Sequence, residues 1–366
     1  MHEKNVPTLK IGNLSICPPI IQGGMGVRVS RANLAAAVAN TGCMGVIASA
    51  GLGQFEDFSG AQFTQLNEAA LRFEIKKARK QSRGPIGVNI MVALTDYENL
   101  VQAAVDENVD AIISGAGLPL NLPKFLNGKD IKLIPVVSSA RTLAIICKKW
   151  KNNFNKLPDA VIVEGFEAGG HLGFSHQSIK ENTAPALSDI MKEVLEVANS
   201  YEPHIPVIAA GGIFDGKDIA RFLKMGASGV QMATRFVCTD ECDAHDNFKQ
   251  AYLNCTAEDI TIIASPVGLP GRVITNSFVE QIKQGKTIPF VCKYQCLRTC
   301  DPKVAPYCIA KALANAAQGN LDESFVFAGS NAYRCTEIVS VKKLVEQLTD
   351  ELASALAAEN TIPKGK

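Results

Sequence analysis

The chain has 366 residues, 47% apolar and 20% charged, with a formal net charge of +1. That size and composition suit a globular protein with a large core, and the even charge balance excludes an electrostatic case for nucleic acid or an anionic membrane. The opening stretch MHEKNVPTLKIGN lacks the apolar core of a secretion signal and no apolar run reaches spanning length, so a cytoplasmic address is expected, with the eleven cysteines as thiols or metal ligands rather than disulfides.

Eight short apolar or β-branched runs follow one another along the first two thirds of the chain. They are PIIQGGM from Pro19, MGVIASAG from Met44, IGVNIM from Ile86 and DAIISGAG from Asp110. KLIPVVSS from Lys132, DAVIVEG from Asp159, IPVIAAGG from Ile205 and SGVQMATRF from Ser228 complete the set. Between them lie alanine-rich amphipathic stretches such as RANLAAAVANTG, YENLVQAAVDENV and GKDIARFLKMGA, which read as helices. Runs that are apolar throughout suit parallel strands covered on both faces. Eight such units predict an α/β fold, a TIM (β/α)8 barrel with its site at the strand ends. An open doubly wound sheet is the alternative, but the first turn, QGGMGVRVS, has no G-x-G-x-x-G fingerprint.

After strand eight the rhythm breaks. Residues 239–334 show short helical patterns and no evident strand, and a last amphipathic run, TEIVSVKKLVEQLTDELASALAAE, follows them. The expected organisation is a barrel over 1–238, a small, mainly helical inserted lid over 239–334, and a helix returning to the barrel over 335–366.

Two strand ends read as a phosphate site: Gly211 and Gly212 after strand seven, and Ala233, Thr234 and Arg235 at the end of strand eight. Loops at these places in barrels donate backbone N–H groups to phosphates. Gln22, Asn89, Ser138 and Gln231 are neutral hydrogen-bonding groups at strand ends, with Gly23, Gly24 and Met25 around them. Neutral hydrogen-bonding groups beside bare backbone suit a broad heteroaromatic ring, as in flavin mononucleotide, FMN. The stretch VIVEGFEAGGHLG adds Glu164, Gly169, Gly170 and His171, a histidine placed to exchange a proton.

The segments PIIQGGMG, GVNIM, EGFEAGGHLG, PVIAAGGIFDG and GVQMATRF resemble the nitronate monooxygenase family, formerly 2-nitropropane dioxygenases. That family also includes the FMN-dependent enoyl-acyl-carrier-protein reductases of the second type. The resemblance implies FMN held by Gly24, Met25, Gly26, Asn89, Ser138, Glu164, Gly169, Gly170, Gly211, Gly212, Gln231, Met232, Ala233 and Thr234, with His171 as catalytic acid or base. Many relatives carry glutamine at the place of Glu164 and glycine at that of Ala233. The first expectation is oxidation of an alkyl nitronate with O2 by one-electron transfer to the flavin. The alternatives are an enoyl reductase or a quinone reductase, each drawing electrons from NAD(P)H, and a flavin-binding barrel without turnover. Implied partners are a small-molecule substrate, whether a nitronate or an enoyl thioester on an acyl carrier protein, and a second copy of the chain in a homodimer. Lys283, Lys286, Lys293 and Arg298 are the basic residues that would meet an acidic carrier. An IMP dehydrogenase-type reading fails, because no cysteine lies between Cys147 and Cys238 to act as its nucleophile.

Four cysteines, Cys292, Cys296, Cys300 and Cys308, crowd one stretch of the insertion. Read as a helix, the spacing of four puts the first three on one face, either a small apolar stripe or ligands of zinc or an iron–sulfur cluster. The flavin chemistry requires no metal.

Overall fold

The computed structural model describes residues 6–54 and 60–360; the first five residues of the expected barrel and the last six of the expected returning helix lie outside the described residues. The chain opens with a hairpin of β1 (Leu9–Ile11) and β2 (Leu14–Ile16). It continues through β3 (Ile20–Gln22), α1 (Ala32–Ala39), β4 (Gly45–Ala48), α2 (Gly60–Gln81), β5 (Ile86–Met91) and α3 (Tyr97–Asp106). Next come β6 (Ala111–Gly115), β7 (Lys132–Val137), α4 (Ala140–Phe154), β8 (Val161–Glu164) and the two-residue β9 (Gly170–His171). Then follow α5 (His176–Lys180), α6 (Leu187–Asn199), β10 (Val207–Ala210), α7 (Gly216–Lys224) and β11 (Gly229–Met232).

Eight strands form one parallel sheet in the order β3-β11-β10-β8-β7-β6-β5-β4. A parallel bridge between Ile21 and Met44 joins the two ends, so the sheet closes into the expected TIM barrel. These are the eight runs read from the sequence. Their side chains divide between two cores. Ile21, Met44, Ile113, Ile134, Ile162 and Ile208 fill the interior together with Leu9, Ile11 and Ile16 of the hairpin, which plugs the end where the strands begin. The opposite residues pack outward against the helices. With that end plugged, the carboxyl ends of the strands open to a cavity.

Small residues set the helix–strand spacing. A side chain at Gly45 would collide with the Ala35 carbonyl of α1, whose alanines are largely buried. Asp215 caps α7 by accepting from the N–H groups of Lys217 and Asp218, each at 3.0 Å.

After β11 comes α8 (Thr234–Val237), and the insertion contains α9 (Asp246–Asn254), α10 (Ser277–Lys283) and α11 (Ile309–Ala317). It also contains β12 (Ile260–Ala264), β13 (Pro270–Ile274) and β14 (Val326–Phe327), which corrects the expectation of no strand there. β12 and β13 form an antiparallel hairpin whose turn uses Gly268 at φ +84°. β13 also pairs with β14 and with β9, matching Gly271 to His171. The lid is therefore sewn by main-chain pairing to the glycine loop that follows β8. The returning helix, α12 (Val341–Asn360), lies on α7, where Glu351 accepts from the Gly216 N–H at 2.8 Å.

The expected helical stripe of cysteines is corrected as well. No helix or strand forms between α10 and α11; Leu297 makes an isolated bridge to Leu94. Gln295 adopts φ +43°, which breaks any right-handed helix between Cys292 and Cys296. Among the described residues no helix is long and apolar enough to cross a membrane.

Candidate active site

At the carboxyl ends of the strands lies a cavity of about 500 Å³, within the range of small-molecule sites. Gly24, Met25, Gly26, Asn89, Ser138, Glu164, Gly169, Gly170, His171, Gly211, Gly212, Gln231, Met232, Ala233 and Thr234 all line it. The fold thus brings together every residue singled out as a cofactor or catalytic candidate, from six strand ends. Gln22 is the exception among the strand-end groups. Its side chain is buried, accepting from the Val46 N–H at 2.9 Å and donating to the Gly23 carbonyl, so it braces β3.

Several glycines are required by the walls. A side chain at Gly24 would collide with Asn89. Gly211 and Gly212 take φ +95° and +77°, and a side chain at Gly212 would run into Glu167. The Asn331 amide donates to the Gly212 carbonyl at 2.7 Å, and Gly329 comes so close to Thr234 that a side chain there would meet its hydroxyl. This far end of the insertion, Ala328 to Asn331, completes the wall, and no local motif in the sequence marked it.

His171 is held by three contacts. Its main chain belongs to β9, its ring meets Phe327 edge-on at 5.0 Å, and its Nε2 lies 2.8 Å from the Ser265 hydroxyl at the β12–β13 turn. Burial lowers its pKa to about 4, so the imidazole is neutral at physiological pH. Burial lifts the Glu164 carboxyl at the end of β8 to about 7. Arg272 of β13 donates to the carbonyls of Ala168 at 3.1 Å and Phe166 at 2.6 Å, fixing the loop that carries His171. Among the described residues the lining contains Glu164, Glu167 and His171 but no lysine or arginine.

The four insertion cysteines do not converge: among the described residues no three acidic, histidine or cysteine side chains stand so as to hold a metal ion. Cys296 alone of the four lines the cavity.

The nitronate monooxygenase family profile matches residues 7–351. The chain belongs to the nitronate monooxygenase family. A Bacillus subtilis (strain 168) relative named probable nitronate monooxygenase is 27% identical, with 92% of this chain and 96% of that protein covered. A Rhodococcus jostii (strain RHA1) relative, named (3aS,4S,5R,7aS)-5-hydroxy-7a-methyl-1-oxo-octahydro-1H-indene-4-carboxyl-CoA dehydrogenase, is 30% identical over 72% of this chain; the chain spans 65% of its length. Among solved structures, FabK from Thermotoga maritima superposes with a TM-score of 0.73 at 28% identity, covering 93% of this chain and 94% of that one.

The nitronate monooxygenase family is one of FMN-dependent oxidoreductases. The residues present fit such a group. The Gln231 side-chain oxygen is buried at the cavity with no partner, an acceptor available to a ring N–H. The left-handed Gly211–Gly212 pair leaves main chain bare beside it, as close approach of a phosphate or a flat ring requires.

Proposed function

We propose that the protein is an FMN-dependent oxidoreductase that reduces the carbon–carbon double bond of a neutral α,β-unsaturated acyl thioester, with NAD(P)H as donor. The observation that carries this reading is the charge of the lining: two carboxyl groups, a neutral histidine and no cation among the described residues. An anionic nitronate would enter beside Glu167 and the ionised fraction of Glu164, with no cationic side chain in the lining to pair with it. A neutral thioester meets no such penalty. Leu94, Leu118, Leu269, Leu297, Leu313 and Phe327 give the cavity an apolar side suited to an acyl chain.

In this reading Gly24, Asn89 and Gln231 border the flavin ring, while main-chain groups around Gly211, Gly212, Ala233 and Thr234 hold its phosphate. Bound FMN supplies hydride transfer. Ser265 accepts an N–H contact from Val267 at 3.4 Å and lies 2.8 Å from His171 Nε2, and in this reading its hydroxyl donates to that nitrogen. The imidazole proton then sits on Nδ1, ready to donate to the thioester carbonyl. Glu164, with its pKa near 7, is partly protonated at neutral pH and delivers the proton that the α-carbon takes up as the β-carbon receives hydride. The name of the R. jostii relative, that of a carboxyl-CoA dehydrogenase, supports a thioester substrate.

Nitronate oxidation stands as the second reading, favoured by the near full-length match to the B. subtilis relative. Two product assays separate them. Incubation with NADH or NADPH and crotonyl-CoA should yield butyryl-CoA, whereas propionate 3-nitronate in air should consume no oxygen above background. Oxygen uptake from the nitronate with crotonyl-CoA left intact would reverse the order.

A further inference from the structure

Gln54 lines the cavity and is 5% exposed, and its side-chain oxygen is buried without a hydrogen-bond partner among the described residues. We propose that Gln54 recognises the carrier arm of the thioester substrate. Its side-chain oxygen accepts from the amide N–H that a cysteamine-type arm, as in coenzyme A or an acyl carrier protein, places just beyond the sulfur. This inference rests on the thioester reading above and adds to it a residue that binds the carrier side of the substrate.

The turn that presents Gln54 is firmly tied. It follows β4, and Gly51 within it takes φ +68°, a conformation that glycine adopts without strain. A side chain at Gly51 would run into Val27 and the Gln54 amide, so the Gln54 side chain lies folded back across bare main chain. The Gln54 N–H donates to the Gly51 carbonyl at 3.3 Å, and the Gly53 N–H to the Asn67 side-chain oxygen at 3.3 Å. Asn67, itself buried on α2, donates in turn to the Asp96 carboxylate at 2.8 Å. Val27, Ala50 and Gly51, which line the cavity with Gln54, offer its oxygen no side-chain donor. A donor for it therefore has to come with what fills the cavity.

The place of Gln54 suits the arm of a substrate. In the lid loop, Val291, Lys293 and Gln295 are exposed whereas Cys292, Tyr294 and Cys296 are half-buried, so this stretch forms an outer wall with solvent on one side. The Tyr294 hydroxyl donates to the Gln54 carbonyl at 3.5 Å. Leu94 and Leu297, both in the lining, form a bridge next to Cys296. Gln54 thus stands where the cavity meets the surface loop. A carrier-bound substrate has to run its arm from the reacting bond out to solvent, and so crosses a boundary of this kind. An arm with an N–H satisfies the buried oxygen, and an arm without one leaves it unpaired, so the site discriminates between them.

The test compares crotonyl-N-acetylcysteamine with its oxa counterpart, in which an ester oxygen replaces the amide N–H. With NADH or NADPH, the FMN-loaded wild type should reduce the first with a kcat/KM about tenfold higher, the difference lying in KM, as one hydrogen bond to a buried acceptor predicts. Gln54→Met should abolish that preference, and Gln54→Glu, which retains an acceptor oxygen at the same reach, should restore most of it. Should Gln54→Met fail to fold, the wild-type ratio decides: equal kcat/KM for the two thioesters would overturn the proposal. So would a preference that survives in Gln54→Met, or a rise in KM confined to the nicotinamide, which would assign Gln54 to that ring's carboxamide. Reduction of neither thioester by the wild type would strike the thioester reading and this inference with it, whereas reduction of both without preference strikes the inference alone.

Discussion

The His171 ring nitrogen Nε2 lies 2.8 Å from the hydroxyl of Ser265, a residue 94 positions further along the chain on the inserted hairpin. The lid therefore sets the orientation of a barrel residue. Replacing Ser265 with alanine frees the tautomer and should lower kcat about tenfold with little change in FMN content, as expected for the loss of one hydrogen bond of 1–1.5 kcal/mol. Ser265→Thr, which keeps the hydroxyl, should restore most of the rate. Equal rates in wild type and Ser265→Ala would remove this contact from the mechanism.

His171→Ala should retain bound FMN and lose about a hundredfold in thioester reduction, the usual scale for a general acid–base or electrophilic group. The histidine also has a signature in stability. Its pKa falls from 6.5 to about 4 on folding, so its contribution is complete above 6.5 and is lost as pH falls from there through about 4. His171→Gln should flatten the acid limb of the Tm–pH curve, which thermal melts will show.

Glu164 acts in the opposite direction. Its pKa rises from 4.5 to about 7, so the stability of the neutral form is complete below 4.5 and is lost as pH rises through about 7. Glu164→Gln keeps the shape and removes the ionisation. The variant should gain on the wild type by roughly 1–3 kcal/mol between pH 5 and pH 8, while its rate loses the proton supply and falls about a hundredfold. Parallel stability curves for the two proteins would contradict this.

Gly212→Ala places a side chain at φ +77° and against Glu167. The strain, about 1–2 kcal/mol, should weaken FMN binding about tenfold or more, measured as Kd by flavin fluorescence. Unchanged Kd would place the phosphate elsewhere.

The barrel was readable because each of its eight strands is a short run apolar on both faces, bounded by glycine or polar residues, and every such run became a strand. The glycine-rich strand ends were readable for a related reason: close approach leaves residues without side chains at fixed places. The hairpin of the lid was not. Three of the five β12 residues are only half-buried, and β13 opens with Pro270 and Gly271, which read locally as a turn. Ser265, Asn331 and Phe327 escaped for a different reason, since only the paired strands β9, β13 and β14 bring them to His171 and Gly212. The cysteine run suggested a helix by spacing, but Gln295 in the left-handed region ends that pattern.

Anaerobic stopped-flow mixing of the FMN-loaded protein, with absorbance near the flavin band as the readout, separates a neutral from an anionic substrate. Bleaching by NADH or NADPH, then rapid return of colour on a second mix with crotonyl-CoA, is the predicted result. Bleaching by propionate 3-nitronate in the absence of any nicotinamide, with no response to the thioester, would contradict the account.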